Sequence, residues 1–134
     1  MVSRKLAREM AVEFLFQIQF HREDIKEQVE NFLDSMEDLR DGVDFDKDYF
    51  FEIVNGVINC QEEIDGIISA KAKDGWTLER IAKVDLSILR VAIYEMKHRT
   101  DIPVSVSINE AVEIAKKFSA VESSGFINGL LAQV

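Results

Sequence analysis

The chain has a single cysteine, Cys60, so it cannot close an internal disulfide or form a paired-cysteine metal motif. One proline and six glycines are too few for a linker-rich or low-complexity chain and leave room for long helices. No apolar run approaches the ~20 residues that span a bilayer. No apolar segment with a small-residue cleavage site follows the N-terminus. Together these absences make cytoplasmic residence the expectation. Enzyme signatures are missing too: there is no phosphate-binding loop and no dinucleotide-binding glycine pattern. His21 and His98 are far apart, and neither has a second histidine at ligand spacing. Both read as ordinary surface or half-buried residues, and Cys60 reads as a packing residue beside an apolar stripe. The acidic run Asp44-Phe45-Asp46-Lys47-Asp48 fails as a calcium loop. An EF-hand loop starting at Asp44 needs glycine at its sixth position and glutamate at its twelfth, where this chain has Tyr49 and Asn55. No metal, no cofactor and no catalytic residue is expected.

Acid is abundant and unevenly placed. The net charge is -9, but residues 1–22 carry +2, residues 23–65 carry -12 and residues 66–134 carry +1. An acidic chain of this kind does not bind nucleic acid indiscriminately, yet it can carry a small local basic site. The opening Ser3-Arg4-Lys5-Leu6-Ala7-Arg8-Glu9 is such a candidate, with three cations in five positions.

The apolar residues recur with helical spacing. Leu6, Met10, Phe14 and Ile18 form one stripe, and Ser3 fits as its N-cap. Ile25, Val29, Phe32, Leu33 and Met36 form a second. The third is long, from Phe50 through Ile53, Val54, Val57, Ile64 and Ile67 to Ile68, with Gly75 as a stop. Thr77 caps a short turn through Leu78 and Ile81. Leu86, Leu89, Val91, Ile93 and Tyr94 mark another helix, which ends near Pro103 because proline disfavours helix in the residue before it. Val104 to Ile108 alternates like a strand but is short and has no strand partner. Ser107-Ile108-Asn109-Glu110 has the form of a capping box and predicts a helix start there. A last short helix holds Phe126, Ile127, Leu130 and Leu131, where Gly125 and Gly129 read as close packing. The fold class is all-α, a compact bundle of about seven helices.

At 100° per residue, Arg4, Lys5 and Arg8 all point away from the Leu6/Met10/Phe14 stripe and are expected to face solvent, with Val12, Phe16 and Gln19 further along the same side. Two readings stand: a solvated helix end, or a phosphate-gripping patch beside a site for a base or a partner protein. Cations at a helix N-terminus oppose the helix dipole, which tips the balance slightly towards function.

Several segments resemble the NusB family of bacterial transcription antitermination factors. They are Arg4-Lys5-Leu6-Ala7-Arg8-Glu9, Val84-Asp85 with Ile88-Leu89-Arg90-Val91-Ala92-Ile93-Tyr94-Glu95, Ile108-Asn109-Glu110-Ala111-Val112-Glu113-Ile114-Ala115-Lys116, and Phe126-Ile127-Asn128-Gly129. The resemblance covers nearly the whole chain and is weakest in the acidic middle block. It implies one RNA-binding helical domain over residues 1–134, built as two packed helical subdomains, and no catalysis. It implies binding to boxA RNA of ribosomal RNA transcripts as a heterodimer with NusE, a small-subunit ribosomal protein, within an antitermination complex on RNA polymerase. On matching positions, Arg4, Lys5 and Arg8 would contact RNA, with Glu122 and Phe126 near the same surface, and Phe16 and Asp85 would meet the partner. Some members of the family form homodimers that hide the RNA face, so the chain alone could self-associate.

The physical chemistry agrees with these roles. Three cations neutralise about three phosphates, which gives modest, salt-sensitive binding. Phe126 offers a stacking surface for an unstacked base and Glu122 can accept from base amino groups. The acidic block would keep RNA off the remaining surface. Two other readings remain. The same helical module resembles the N-terminal region of ribosomal-RNA cytosine methyltransferases, which continue into a methyl-donor domain where this sequence stops at Val134. A helical adaptor that binds only protein is the other.

Overall fold

The computed structural model describes residues 3–39, 44–73 and 75–134. It contains six α-helices: α1 (Arg4–Ile18), α2 (Ile25–Leu39), α3 (Lys47–Lys71), α4 (Lys83–His98), α5 (Val104–Phe118) and α6 (Ser123–Leu131). A single 3-10 turn over Leu78–Arg80 accounts for the seventh expected element. Among the described residues there is no strand, only one isolated bridge between Ser3 and Phe45. No helix among them is long and apolar enough to cross a membrane.

Two N-caps set the start of the molecule. The Ser3 hydroxyl accepts from the Leu6 amide at 3.0 Å and opens α1. The Asp46 carboxylate accepts from the Tyr49 amide at 3.0 Å and opens α3. The caps are joined directly, because the Asp46 amide donates to the Ser3 carbonyl at 3.1 Å. The basic end of α1 is therefore fixed against the acidic start of α3.

The core is continuous. Phe14, Phe32 and Phe50 bring α1, α2 and α3 together, with ring centroids 5.4 Å (Phe14–Phe32), 6.4 Å (Phe14–Phe50) and 6.0 Å (Phe32–Phe50) apart. Such aromatic pairs contribute about 0.5–1.5 kcal/mol each beyond their burial. Helix α4 lies at the centre and touches α1, α3, α5 and α6. Its residues from Asp85 to Ile93 are all buried, the polar Asp85, Ser87 and Arg90 among them. At Gly56, α3 approaches α4 so closely that a Cβ would run into the Tyr94 ring, so any other residue there has to displace that ring. Gly75, at φ +90, supplies the left-handed backbone of the turn after α3.

Helix α5 departs from expectation. It begins at Val104, with Pro103 at the N-cap, and not at a Ser107 capping box. Proline already holds φ near the helical value, and the Pro103 carbonyl accepts from the Val106 amide at 2.9 Å. Ser107 is thus inside the first turns, buried, with no partner for its hydroxyl. The alternation of Val104 and Val106 leaves two exposed valines on a helix, not a strand.

Candidate nucleic-acid interface

The three N-terminal cations separate into two environments. Arg4 and Lys5 are exposed. Arg8 is buried, contrary to the expectation that it faces solvent. Its Nε donates to Glu95 Oε2 at 2.8 Å, and the Tyr49 hydroxyl donates to the same oxygen. The cause is the width of the buried face of α1: α3 brings Tyr49, α4 brings Glu95, and α5 lines the same pocket with Ala111 and Ile114, so every residue from Ala7 to Val12 is buried. Burial alone would lower the pKa of Arg8, but the charge and hydrogen bond of Glu95 together with Tyr49 outweigh it, and the guanidinium is held more firmly charged than usual. Burial and the bond to Glu95 push the Tyr49 phenol well above its ordinary range, so it stays neutral.

Tyr49 organises the cations around it. The guanidinium carbons of Arg4, Arg8 and Arg99 lie 4.6, 5.4 and 5.2 Å from the centre of its ring. Each gains from the electron-rich ring. Arg99 is already neutralised, since its Nη1 donates to Glu52 and its Nε and Nη2 to Asp101. These bonds raise its pKa, Asp101 contributing most. Arg4 is different: Asp46 approaches it only to 4.0 Å, and its side chain stays 46% exposed, so it is free to meet an anion.

Lys5 opens a second basic feature. It lines a groove of about 350 Å³ with Glu9, Glu113, Lys116 and Lys117. The Lys117 ammonium donates to Glu9 at 2.7 Å, tying the end of α5 to α1. Nothing in the local sequence marks Lys116 and Lys117 as site residues, because lysines in a last helical turn simply complement the dipole. Only the tertiary packing sets them beside Lys5.

Phe126 is half-buried on α6, with its ring 5.5 Å from that of the exposed Trp76. The two rings, with Lys71 and Lys73, line a cavity of about 290 Å³. Two aromatic surfaces flanked by cations can take a flat, negatively charged unit such as a nucleotide. Glu122 is exposed at the N-cap of α6. Among the described residues no hydrogen bond, ion pair or ring contact joins it or Phe126 to Arg4, Lys5 or Arg8. Gly125 borders both the Phe126 cavity and a second groove along Ser105, Asn109 and Val112 of α5. Lys116 continues that same helical stripe towards Lys5.

The two residues expected at a partner contact also divide. Phe16 is 37% exposed and packs edge-on against Phe20, which is 63% exposed. Lys83 Nζ lies 5.8 Å from the Phe20 ring, and Gln19 Nε2 donates to the Lys83 carbonyl and to Ser87 Oγ, both at 2.7 Å. The end of α1 and the start of α4 thus present one small apolar patch with a cation at its edge. Asp85, one turn into α4, is not an exposed helix opener as expected. It is buried and accepts from Ser119 Oγ at 2.6 Å and Ser123 Oγ at 2.8 Å. It pins α4 to the turn between α5 and α6 and is not part of the exposed patch.

A sequence model of the NusB family matches residues 5–134. The transcription antitermination protein NusB of Acetivibrio thermocellus is 48% identical, over 99% of this chain and 88% of the relative. The structure of NusB from T. maritima superposes with a TM-score of 0.83 at 33% identity, over 99% of this chain and 91% of the other. A crystal structure of antitermination factors NusB and NusE in complex with dsRNA shares the fold, with a TM-score of 0.80 at 23% identity, over 97% and 93% of the two chains.

Proposed function

The chain belongs to the NusB family, and from that premise we propose that it is a transcription antitermination factor that binds boxA RNA of ribosomal RNA transcripts as a heterodimer with NusE. It works without catalysis, in the cytoplasm, as part of an assembly on RNA polymerase. A relative that shares the fold is described bound to NusE and dsRNA, and a relative with nearly half its residues in common is named for antitermination.

The observation that carries the reading is the exposed pair Arg4 and Lys5 on a chain of net charge -9, placed beside Lys116 and Lys117 of α5. Arg4 and Lys5 take the phosphates, while Lys116 and Lys117, paired with Glu113 and Glu9, line the groove beside Lys5. Arg8 acts from below: held by Glu95, it fixes Tyr49 and through its ring the direction of Arg4. The Phe126–Trp76 cavity receives a base, and Glu122 accepts from a base amino group. The Phe16–Phe20–Lys83 patch receives NusE, and Asp85 keeps the α4 side of that patch in place. The whole of residues 1–134 works as one RNA-binding unit.

The test is a titration of labelled single-stranded boxA RNA, NusE present, at several salt concentrations. Each lost phosphate contact on a single strand flattens the slope of log affinity against log salt by roughly 0.7. The double variant Arg4→Glu/Lys5→Glu should therefore weaken binding and lose about 1.4 units of slope. Unchanged affinity and slope would remove these cations from the RNA site.

A further inference from the structure

Cys60 and Glu63 lie one turn apart on α3, and His98 lies in the last turn of α4. The Cys60 sulfur, a Glu63 carboxylate oxygen and a His98 ring nitrogen all fall within 4.8 Å of one another. Glu63 Oε1 is 3.7 Å from His98 Nε2. Cys60 is half-buried while Glu63 and His98 are exposed, so the thiol forms the floor and the other two the rim of an open site. The imidazole plane is steadied from the side by Tyr94, whose ring stacks on it at 5.1 Å and 24°.

We propose that Cys60, Glu63 and His98 form a binding site for a thiophilic divalent cation, Zn²⁺ in the first instance, with solvent as its fourth ligand. The donor set decides the class of ion. Calcium and magnesium take oxygen ligands, whereas a thiolate with an imidazole and one carboxylate suits zinc and its neighbours. Around a tetrahedral zinc with bonds of about 2.0–2.3 Å, ligand atoms stand roughly 3.5 Å apart. The three atoms need to close by only about 1 Å, and the two rim side chains are free to do so. Thiolate and carboxylate together balance the ion's charge. The site has a built direction as well, because it joins the end of α4 to the middle of α3. Binding releases the Cys60 thiol proton to solvent, and no electron transfer is involved.

Because Cys60 is the sole cysteine, a thiolate-to-metal absorption band can arise nowhere else in the chain. Reduced protein, kept anaerobic, is titrated with Co²⁺ while near-ultraviolet absorption and circular dichroism are followed, and Zn²⁺ is then added as competitor. Wild type should show a charge-transfer band saturating at one Co²⁺ per chain, bleached by Zn²⁺. Cys60→Ser should abolish it. Loss of an outer-shell partner already costs about 10–100-fold in metal affinity, so His98→Gln and Glu63→Gln should weaken Co²⁺ binding at least about tenfold. His21→Gln should change nothing. Zn²⁺ should raise the Tm of wild type but not of Cys60→Ser/His98→Gln. Two results would overturn the site. One is no band in folded wild type at saturating Co²⁺. The other is a band whose midpoint is unchanged in both His98→Gln and Glu63→Gln, the mark of a lone thiol.

Discussion

Arg8 and Glu95 form an ion pair across α1 and α4 with 2.8 Å between Nε and Oε2, and only 7% and 1% of the two side chains is exposed. A pair so deep contributes little net stability, because desolvation offsets much of the Coulomb gain, but each partner requires the other. Tyr49 makes the arrangement a triad by donating to the same carboxylate oxygen.

Glu95→Ala should therefore destabilise the fold by about 3–5 kcal/mol, since it strands a buried guanidinium and orphans the Tyr49 hydroxyl. The triple variant Arg8→Met/Tyr49→Phe/Glu95→Leu removes every polar member together and should recover most of that loss. Urea unfolding of the two variants checks this. Equal losses in both would mean that packing, not charge, dominates the site.

Asp85 gives a second forecast. Asp85→Ala leaves the Ser123 hydroxyl without its acceptor, Ser119 keeping only Ser123 at 2.9 Å, and should lower stability by about 1–3 kcal/mol. Asp85→Lys should be worse, because it adds a buried cation with no carboxylate to meet it. Thermal unfolding of both, compared with Asp85→Asn, gives the order Asn, Ala, Lys. An unchanged Tm in Asp85→Lys would mean that α4 opens to solvent at its start.

The apolar patch separates cleanly from the core. Phe16→Ala and Phe20→Ala should leave the Tm nearly unchanged, because both rings are exposed. If the patch receives NusE, one of them should cost at least about 2 kcal/mol of binding, as central aromatic anchors do. Isothermal titration with NusE decides the matter, and unaltered affinity in both variants would place the partner elsewhere.

Stacking and charge can be told apart at the RNA surface. Phe126→Ala and Trp76→Ala should each cost about 1–3 kcal/mol of RNA affinity if the cavity holds a base. Neither ring carries charge, so the salt slope should hardly move, in contrast to Arg4→Glu/Lys5→Glu. Melting must be followed alongside, because Phe126 is half-buried on Trp76. A changed slope with unchanged affinity at low salt would contradict base stacking there.

Much of this molecule is legible one helix at a time. The stripe Leu6, Met10, Phe14 fixes the inward direction of α1, and the Ser3 cap forms as its residue type suggests. What a single helix cannot tell is how wide its buried face is. Arg8 points away from the centre of the stripe, but α3, α4 and α5 supply the residues that enclose it. Asp85 reads as a helix-opening acid until its donors arrive from 34 and 38 residues further on. Ser107 and Glu110 match a capping pattern, yet Pro103 starts the helix first. The site at Cys60 follows the same logic. Its i, i+3 partner Glu63 is visible on α3, but His98 joins only because α4 packs there.

The main-chain bond from Asp46 to the Ser3 carbonyl has a consequence in time. A chain emerging N-terminus first makes Arg4 and Lys5 before α2, but the anchor for that end of α1 is synthesised only after the whole of α2. Until then the first turn can fray and its two exposed cations sweep a broad volume. The earliest-made part of the basic surface thus acquires its fixed geometry late, and the geometry depends on contacts between distant segments that slow folding. A pulse of hydrogen exchange during refolding would find the amides of Leu6 and Ala7 protected no sooner than those at the start of α3.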